Sequence, residues 1–226
     1  MNTTKIAVLF DMDGVLVDNM AYHKDSWFEF FNRYNLPLTE EEFVNFVSGR
    51  VAKEVLEHLF RKPLTPEAIS RYTEEKEELY RKIYKPHIKP MPGLINFLQS
   101  LKENKVALAV GTSAPTSNID FTLVTTGLKP FFDKIVDASF VKKGKPDPEI
   151  YLKAADFLQV LPQNCVVVED SLLGIQAGIQ AGMKVIGVTT THAKEELTQP
   201  HLLIQDFREI TYDQVKALLQ AKQKET

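Results

Sequence analysis

Two carboxylates one residue apart, Asp11 and Asp13, follow directly on the apolar run Ile6 to Phe10. A run of that length and composition reads as a buried strand. A strand apolar on both faces must be covered on both, as in a parallel α/β sheet. Ligands of such sheets gather at the carboxyl ends of the strands, where these two acids fall. Gly14 then lets the chain turn away. Acids this close repel each other and lose hydration, so a compensating cation is expected, and a magnesium ion suits an all-oxygen donor set. One carboxylate could stay ionised as ligand and nucleophile while its neighbour trades a proton. The alternative is an aspartate capping a turn, as Asp-Gly pairs do.

Three later segments carry residues of matching chemistry. Gly111-Thr112-Ser113 follows the apolar run Val106 to Val110 and puts hydroxyls and backbone donors at a second strand end, although turn chemistry alone accounts for Thr and Ser there. Lys145 sits between Gly144 and Pro146 on a stiff loop, where a solvated charge is the competing reading. Glu169 and Asp170 end the run Cys165 to Val168, where acids also serve to cap the next helix, with Asp170 and Ser171 as candidates.

The elements that must position these residues fall into two groups. Residues 19 to about 87 contain no convincing buried strand. Trp27, Phe28, Phe30, Phe31 and Tyr34 make an aromatic helix face, and Glu40 to Val47 and Val51 to Phe60 repeat the helical pattern. Thr65-Pro66 opens a further helix through the charged stretch Glu74 to Lys82, which reads as a solvated face. Pro86, Pro90 and Pro92-Gly93 punctuate the return. Thereafter helix and strand alternate: helices at Leu94 to Lys102, Thr116 to Thr125, Asp147 to Leu158 and Leu172 to Ala181, strands at Val106 to Val110, Ile135 to Val136, Cys165 to Val168 and Val185 to Val188. Alternation predicts a Rossmann-like parallel sheet core, to which the first strand belongs. The expected division is an α/β core of residues 1–18 and 88–226 with an inserted all-helical domain, 19–87.

Composition narrows the function classes. The chain has 226 residues, 44% hydrophobic content and a net charge of −3. With a pI near 6.0 it gives no support to nucleic-acid binding. No apolar stretch approaches a membrane span and the amino terminus lacks a secretory segment, so a cytoplasmic protein is expected. Cys165, the single cysteine, reads as a buried, inert thiol.

The string Phe10-Asp11-Met12-Asp13-Gly14-Val15-Leu16-Val17-Asp18 resembles the first motif of the haloacid dehalogenase superfamily of phosphohydrolases. Thr112, Lys145 before Pro146, and Glu169-Asp170 follow in that family's order, and Ser171 to Met183 resembles its next helix. The resemblance implies a magnesium-dependent phosphotransfer enzyme. Asp11 would be the nucleophile and Asp13 the general acid and base. Asp11 and Asp170 would bind Mg2+ through carboxylates, Asp13 through its carbonyl, and Glu169 directly or through water. Thr112 and the Ser113 amide would hold the phosphoryl group, and Lys145 would pair with phosphate and nucleophile.

Within the family, the helical insertion looks like the small cap of the β-phosphoglucomutase and phosphoglycolate phosphatase branch, with linkers near Val15 to Met20 and Pro86 to Pro92. Tyr22-His23 matches the branch, in whose mutases this histidine assists proton transfer, and Lys76 matches a position that approaches the sugar phosphate. The chain departs from the mutase pattern at the cap loop. Mutases carry Gly-x-Ser-Arg there, whereas this chain has Ser48-Gly49-Arg50-Val51-Ala52-Lys53, and Asn19 replaces a hinge threonine. Arg50 or Lys53 would have to substitute for the lost phosphate grip. The resemblance therefore implies a phosphatase of a small phosphorylated metabolite, a sugar phosphate first, with β-phosphoglucomutase as runner-up and a noncatalytic phosphate-binding module as a third reading. Neither nucleic acid nor membrane is an expected partner, and nothing in the sequence calls for more than a monomer.

Overall fold

A computed structural model describes residues 5–47 and 50–221. The chain divides into two compact units, one of residues 1–18 and 88–226, the other Asn19–His87.

The first unit is built on a six-stranded parallel sheet. Its strands are β1 (Ala7–Phe10), β2 (Ala107–Gly111), β3 (Lys134–Val136), β4 (Cys165–Glu169), β5 (Lys184–Val188) and β6 (Leu202–Ile204), in the order β3-β2-β1-β4-β5-β6. Every neighbouring pair is parallel. β1, β2 and β4 are buried at every residue, as strands covered on both faces must be. On one face, Val8 and Phe10 of β1 pack with Phe97, Leu98, Ile119, Leu123 and Val215. On the other, Ala7 and Leu9 pack with Ile150, Tyr151, Ala154, Ile175 and Ala177. The chain builds outward from β1 through β2 to β3, then crosses to β4 and builds the opposite way. The switch point of the sheet therefore lies between β1 and β4, where ligands of such folds collect.

The second unit is helical: α1 (Met20–Arg33), α2 (Glu40–Glu42) running into a π-helical turn (Phe43–Val47), α3 (Ala52–Phe60) and α4 (Pro66–Tyr84). Thr39 caps α2 with a reciprocal Glu42 bond, and Thr65 caps α4 ahead of Pro66. The aromatic face of α1 supplies the core, with Phe30 and Phe31 buried against Val55, Leu56, Leu59 and Leu79. Phe31→Ala is expected to cost this unit about 3–5 kcal/mol, measured by denaturant unfolding.

Among the described residues the α-helices of the first unit are α5 (Leu94–Glu103), α6 (Thr116–Thr125), α7 (Glu149–Leu158), α8 (Leu172–Gln180) and α9 (Tyr212–Gln220). α7 starts two residues later than the expected Asp147, because Pro148 takes the N-cap position and the Asp147 carboxylate accepts the Glu149 N–H. The charged stretch Glu74 to Lys82 is not a solvated face throughout. Lys76 is 3% exposed and Glu77 9%, because both lie on the side of α4 that carries Leu79 and Tyr80.

Candidate active site

The strand register gathers the candidate residues at one edge of the first unit. Phe10 pairs with Val110 of β2 and with Val168 of β4, so Asp11 stands level with Gly111 and Glu169. The Asp11 N–H extends the ladder by donating to the Val168 carbonyl at 3.0 Å. Gly14 turns the chain with φ +74°, and a Cβ there would collide with the Asp170 carboxylate. Glycine is thus required twice over, for the backbone conformation and for the close approach.

Lys145 reaches this edge from the loop before α7. Its Nζ donates to Asp11 Oδ1 at 2.5 Å and to Glu169 Oε1 at 2.6 Å. It is no solvated loop charge. Glu169, fully buried, also accepts from the Tyr151 hydroxyl at 2.8 Å through Oε1, and from the Asp170 N–H, the Ser171 N–H and the Ser171 hydroxyl through Oε2. A Cβ at Gly174 would collide with this carboxylate, so the first turn of α8 needs glycine to accommodate it. Ser171 is the N-cap of α8, accepting from the Gly174 N–H at 3.1 Å. Glu169 and Asp170 are left to the strand end.

Thr112 is buried at the end of β2, its hydroxyl accepting the Ala114 N–H at 3.1 Å, while Ser113 is exposed. Asp13 is half-buried beyond Asp11. Two residues not anticipated from the sequence complete the edge. Thr190 donates to the Gly14 carbonyl at 2.5 Å, and Thr191 donates to Asp170 Oδ2. Both belong to the turn after β5.

Oxygens of Asp11, Glu169 and Asp170 lie within 4.8 Å of one another. Three buried carboxylates face one ammonium, and the electrostatics register the imbalance. Burial pushes the Asp11 carboxyl well above its ordinary value; Lys145 opposes this, while Glu169, Asp170 and Asp13 reinforce it. Burial, and then Glu169, push Asp170 up to about 7. Burial works against the charge on Lys145, yet Asp11 and Glu169 hold its ammonium well above the usual lysine range. A crowded, anionic, all-oxygen set of this kind fits a hard divalent cation, which removes the excess negative charge. Thr191→Val would take a hydrogen bond from Asp170 that favours its ionised form. The expected result is about a tenfold loss of divalent-cation affinity, read by calorimetry with Mg2+ as the probe, with Thr191→Ser close to wild type.

Cys165 is buried, and desolvation pushes its thiol up to about 12, as an inert thiol requires.

The remaining candidates belong to the helical unit. Lys76 Nζ lies 3.1 Å from His23 Nδ1 and 2.8 Å from Glu77 Oε1, over the Trp27 ring. His23 stacks on Tyr80 with centroids 3.8 Å apart, and Asn19 bonds the Tyr80 hydroxyl at 2.7 Å. Arg50 and Lys53 are exposed, and Arg50 lies 3.9 Å from Glu54. They are not part of the His23–Lys76 cluster. Ser48 and Gly49 of the same loop lie outside the described residues.

Comparison with known proteins adds an independent line. The sequence model of the haloacid dehalogenase-like hydrolases matches residues 8–188. The fructose-1-phosphate phosphatase YqaB of Escherichia coli (strain K12) is 33% identical over 184 residues, covering 80% of this chain and 95% of that protein. A HAD hydrolase of family IA, variant 3, from Entamoeba histolytica HM-1:IMSS superposes with a TM-score of 0.89 at 35% identity, covering 96% of this chain and all of the other. The β-phosphoglucomutase of Clostridium difficile superposes at 0.81 with 27% identity, covering 96% and 98%. No helix among the described residues is long and apolar enough to cross a membrane.

Proposed function

Because the chain belongs to the haloacid dehalogenase-like hydrolases, we propose that it is a Mg2+-dependent phosphatase of a small phosphorylated metabolite, a sugar phosphate in the first instance. The carrying observation is the Asp11–Lys145–Glu169 network beside Asp170 at the sheet's switch point. Phosphoryl transfer needs positioning and charge neutralisation above all, and this edge provides both.

In this reading Asp11 attacks phosphorus and carries the phosphoryl group as an aspartyl phosphate. Asp13 gives a proton to the leaving oxygen, then takes one from the water that hydrolyses the intermediate. Lys145 offsets the repulsion between an anionic nucleophile and an anionic substrate. Its Nζ has three protons, two of them directed to Asp11 and Glu169, so one remains for a phosphoryl oxygen. Thr112 and the Ser113 amide serve the other phosphoryl oxygens. Asp11, Asp170 and the Asp13 carbonyl would hold Mg2+, which supplies charge neutralisation at the phosphoryl group when bound. The helical unit is assigned the choice of substrate. The fructose-1-phosphate phosphatase supports a sugar phosphate as that substrate.

A second reading, β-phosphoglucomutase, is favoured by one observation: the half-buried His23–Lys76 contact, an imidazole beside an ammonium. Against it stands Arg50, exposed near Glu54 rather than built into a phosphate clamp. Incubation with β-glucose 1-phosphate, Mg2+ and a trace of the bisphosphate separates the two. A phosphatase releases inorganic phosphate; interconversion to glucose 6-phosphate without phosphate release would replace the preferred reading with the second.

A further inference from the structure

Tyr151 has no part in the chemistry above, yet it touches three parts of the site. It is fully buried on α7. Its hydroxyl donates to Glu169 Oε1 at 2.8 Å, the oxygen that also accepts Lys145 Nζ at 2.6 Å. Its ring faces the Lys145 ammonium, with 5.0 Å from Nζ to the centroid. The same ring packs on Gly111, one residue before Thr112, where a Cβ would come within 3.1 Å of it.

Glu169 gives these contacts their meaning. Five donors converge on its two oxygens: Lys145 and Tyr151 on Oε1, and the Asp170 N–H, Ser171 N–H and Ser171 hydroxyl on Oε2. A carboxylate offers about four lone-pair sites, so this one is saturated and fixed in orientation. Its contact toward the nucleophile runs through Lys145. We propose that Tyr151 is a positioning residue of the phosphoryl-transfer site, acting through Glu169 to hold the Lys145 ammonium against Asp11. This rests on the reading of Asp11 as nucleophile, and adds that Glu169 serves the lysine rather than the metal. The hydroxyl keeps Glu169 from closing fully on the ammonium, and the ring supports the ammonium from the side. Without the hydroxyl, Glu169 competes with Asp11 for Lys145 and draws the lysine off the nucleophile.

Tyr151→Phe keeps the ring, its packing on Gly111 and its face toward Lys145, and removes only the hydroxyl. Aryl phosphate hydrolysis at saturating Mg2+ is expected to lose about 10–100-fold in kcat with KM within about twofold. The Mg2+ dissociation constant from calorimetry should stay within about twofold of wild type. In a Lys145→Ala background the same change should cost nothing further, because a residue acting through Lys145 has nothing left to position. A purely structural role would carry its full cost into that background and would overturn the proposal. So would wild-type kcat in Tyr151→Phe, or a weakened Mg2+ affinity whose effect on kcat disappears at saturating metal. Asp11→Asn is assayed alongside. If it is inactive while Tyr151→Phe is fully active, the proposal alone fails; if it is active, the nucleophile reading fails with it.

Discussion

Asp11→Asn is expected to lower turnover of any phosphate monoester by at least about 10³-fold while leaving the fold intact. The amide fills the same space at the end of β1 and keeps the backbone bond to Val168, but it has no anionic oxygen to form an acyl phosphate. It also removes the charge that Lys145 meets at 2.5 Å. Lys145 retains Glu169 at 2.6 Å, so its ammonium is not left unpaired in the interior. Loss of activity therefore comes without the large destabilisation that an orphaned buried charge would bring. Steady-state kinetics and denaturant unfolding on the same preparation check both halves.

Asp170→Asn is expected to separate function from stability in opposite directions. Burial and the neighbouring Glu169 raise the Asp170 carboxyl from 3.8 to about 7. The folded chain thus binds this proton more tightly than the unfolded chain does. A raised carboxyl contributes stability that is present below the unfolded value and lost as pH rises through the folded one. In the metal-free protein that window runs from about pH 4 to about pH 7. The asparagine variant carries no such loss. Without metal it should match wild type near the bottom of the window and exceed it above the top, by on the order of a few kcal/mol. On the proposed role of Asp170 as a metal ligand, Mg2+ affinity should fall by about 100-fold or more, since a charged donor would become a neutral one. Denaturant melts in chelator at both ends of the window check the sign; a gap equal at both would show that the site carries no such strain. Wild-type Mg2+ affinity should itself fall as pH drops below about 7, because binding must displace the proton from Asp170.

Four of the candidate core residues were legible because they sit at the end of an apolar run. A strand buried on both faces is recognisable from four or five residues, and a polar residue directly after it can only be at the sheet edge. Asp11, Thr112, Glu169 and Asp170 all carry that signature. Lys145 was placed by its order in the motif series, not by any local pattern. Tyr151 and Thr191 were missed for different reasons. Thr191 belongs to a turn whose composition, Thr189-Thr190-Thr191, is ordinary, and its partner Asp170 lies across a tertiary contact. Tyr151 did carry a signal, since with Ile150, Ala154 and Leu158 it occupies the apolar stripe of α7, where a phenol needs a buried acceptor. Lys76 had the same kind of signal: it falls in phase with Tyr72, Leu79, Tyr80 and Tyr84, on the side of α4 that is not solvated.

At the carboxyl end of the chain, β6 has only three residues, too few for alternation to register. α9 was not read from the sequence either, although its Thr211–Gln214 capping box was a usable signal. The substrate stays beyond spacing arguments for a physical reason. Helical periodicity reports which side chains are buried, and not which of the others would meet the organic part of a phosphate ester.

The claim on which everything else depends is that Asp11 becomes phosphorylated. Enzyme mixed with substrate, quenched in acid within one turnover and reduced with borohydride converts an aspartyl phosphate to homoserine. Asp11 lies on the tryptic peptide of residues 6–24, together with Asp13 and Asp18, and fragment masses assign the reduced position. Homoserine is expected at 11, with aspartate unchanged at 13 and 18. Reduction at another residue, or none while turnover proceeds, would contradict the claim.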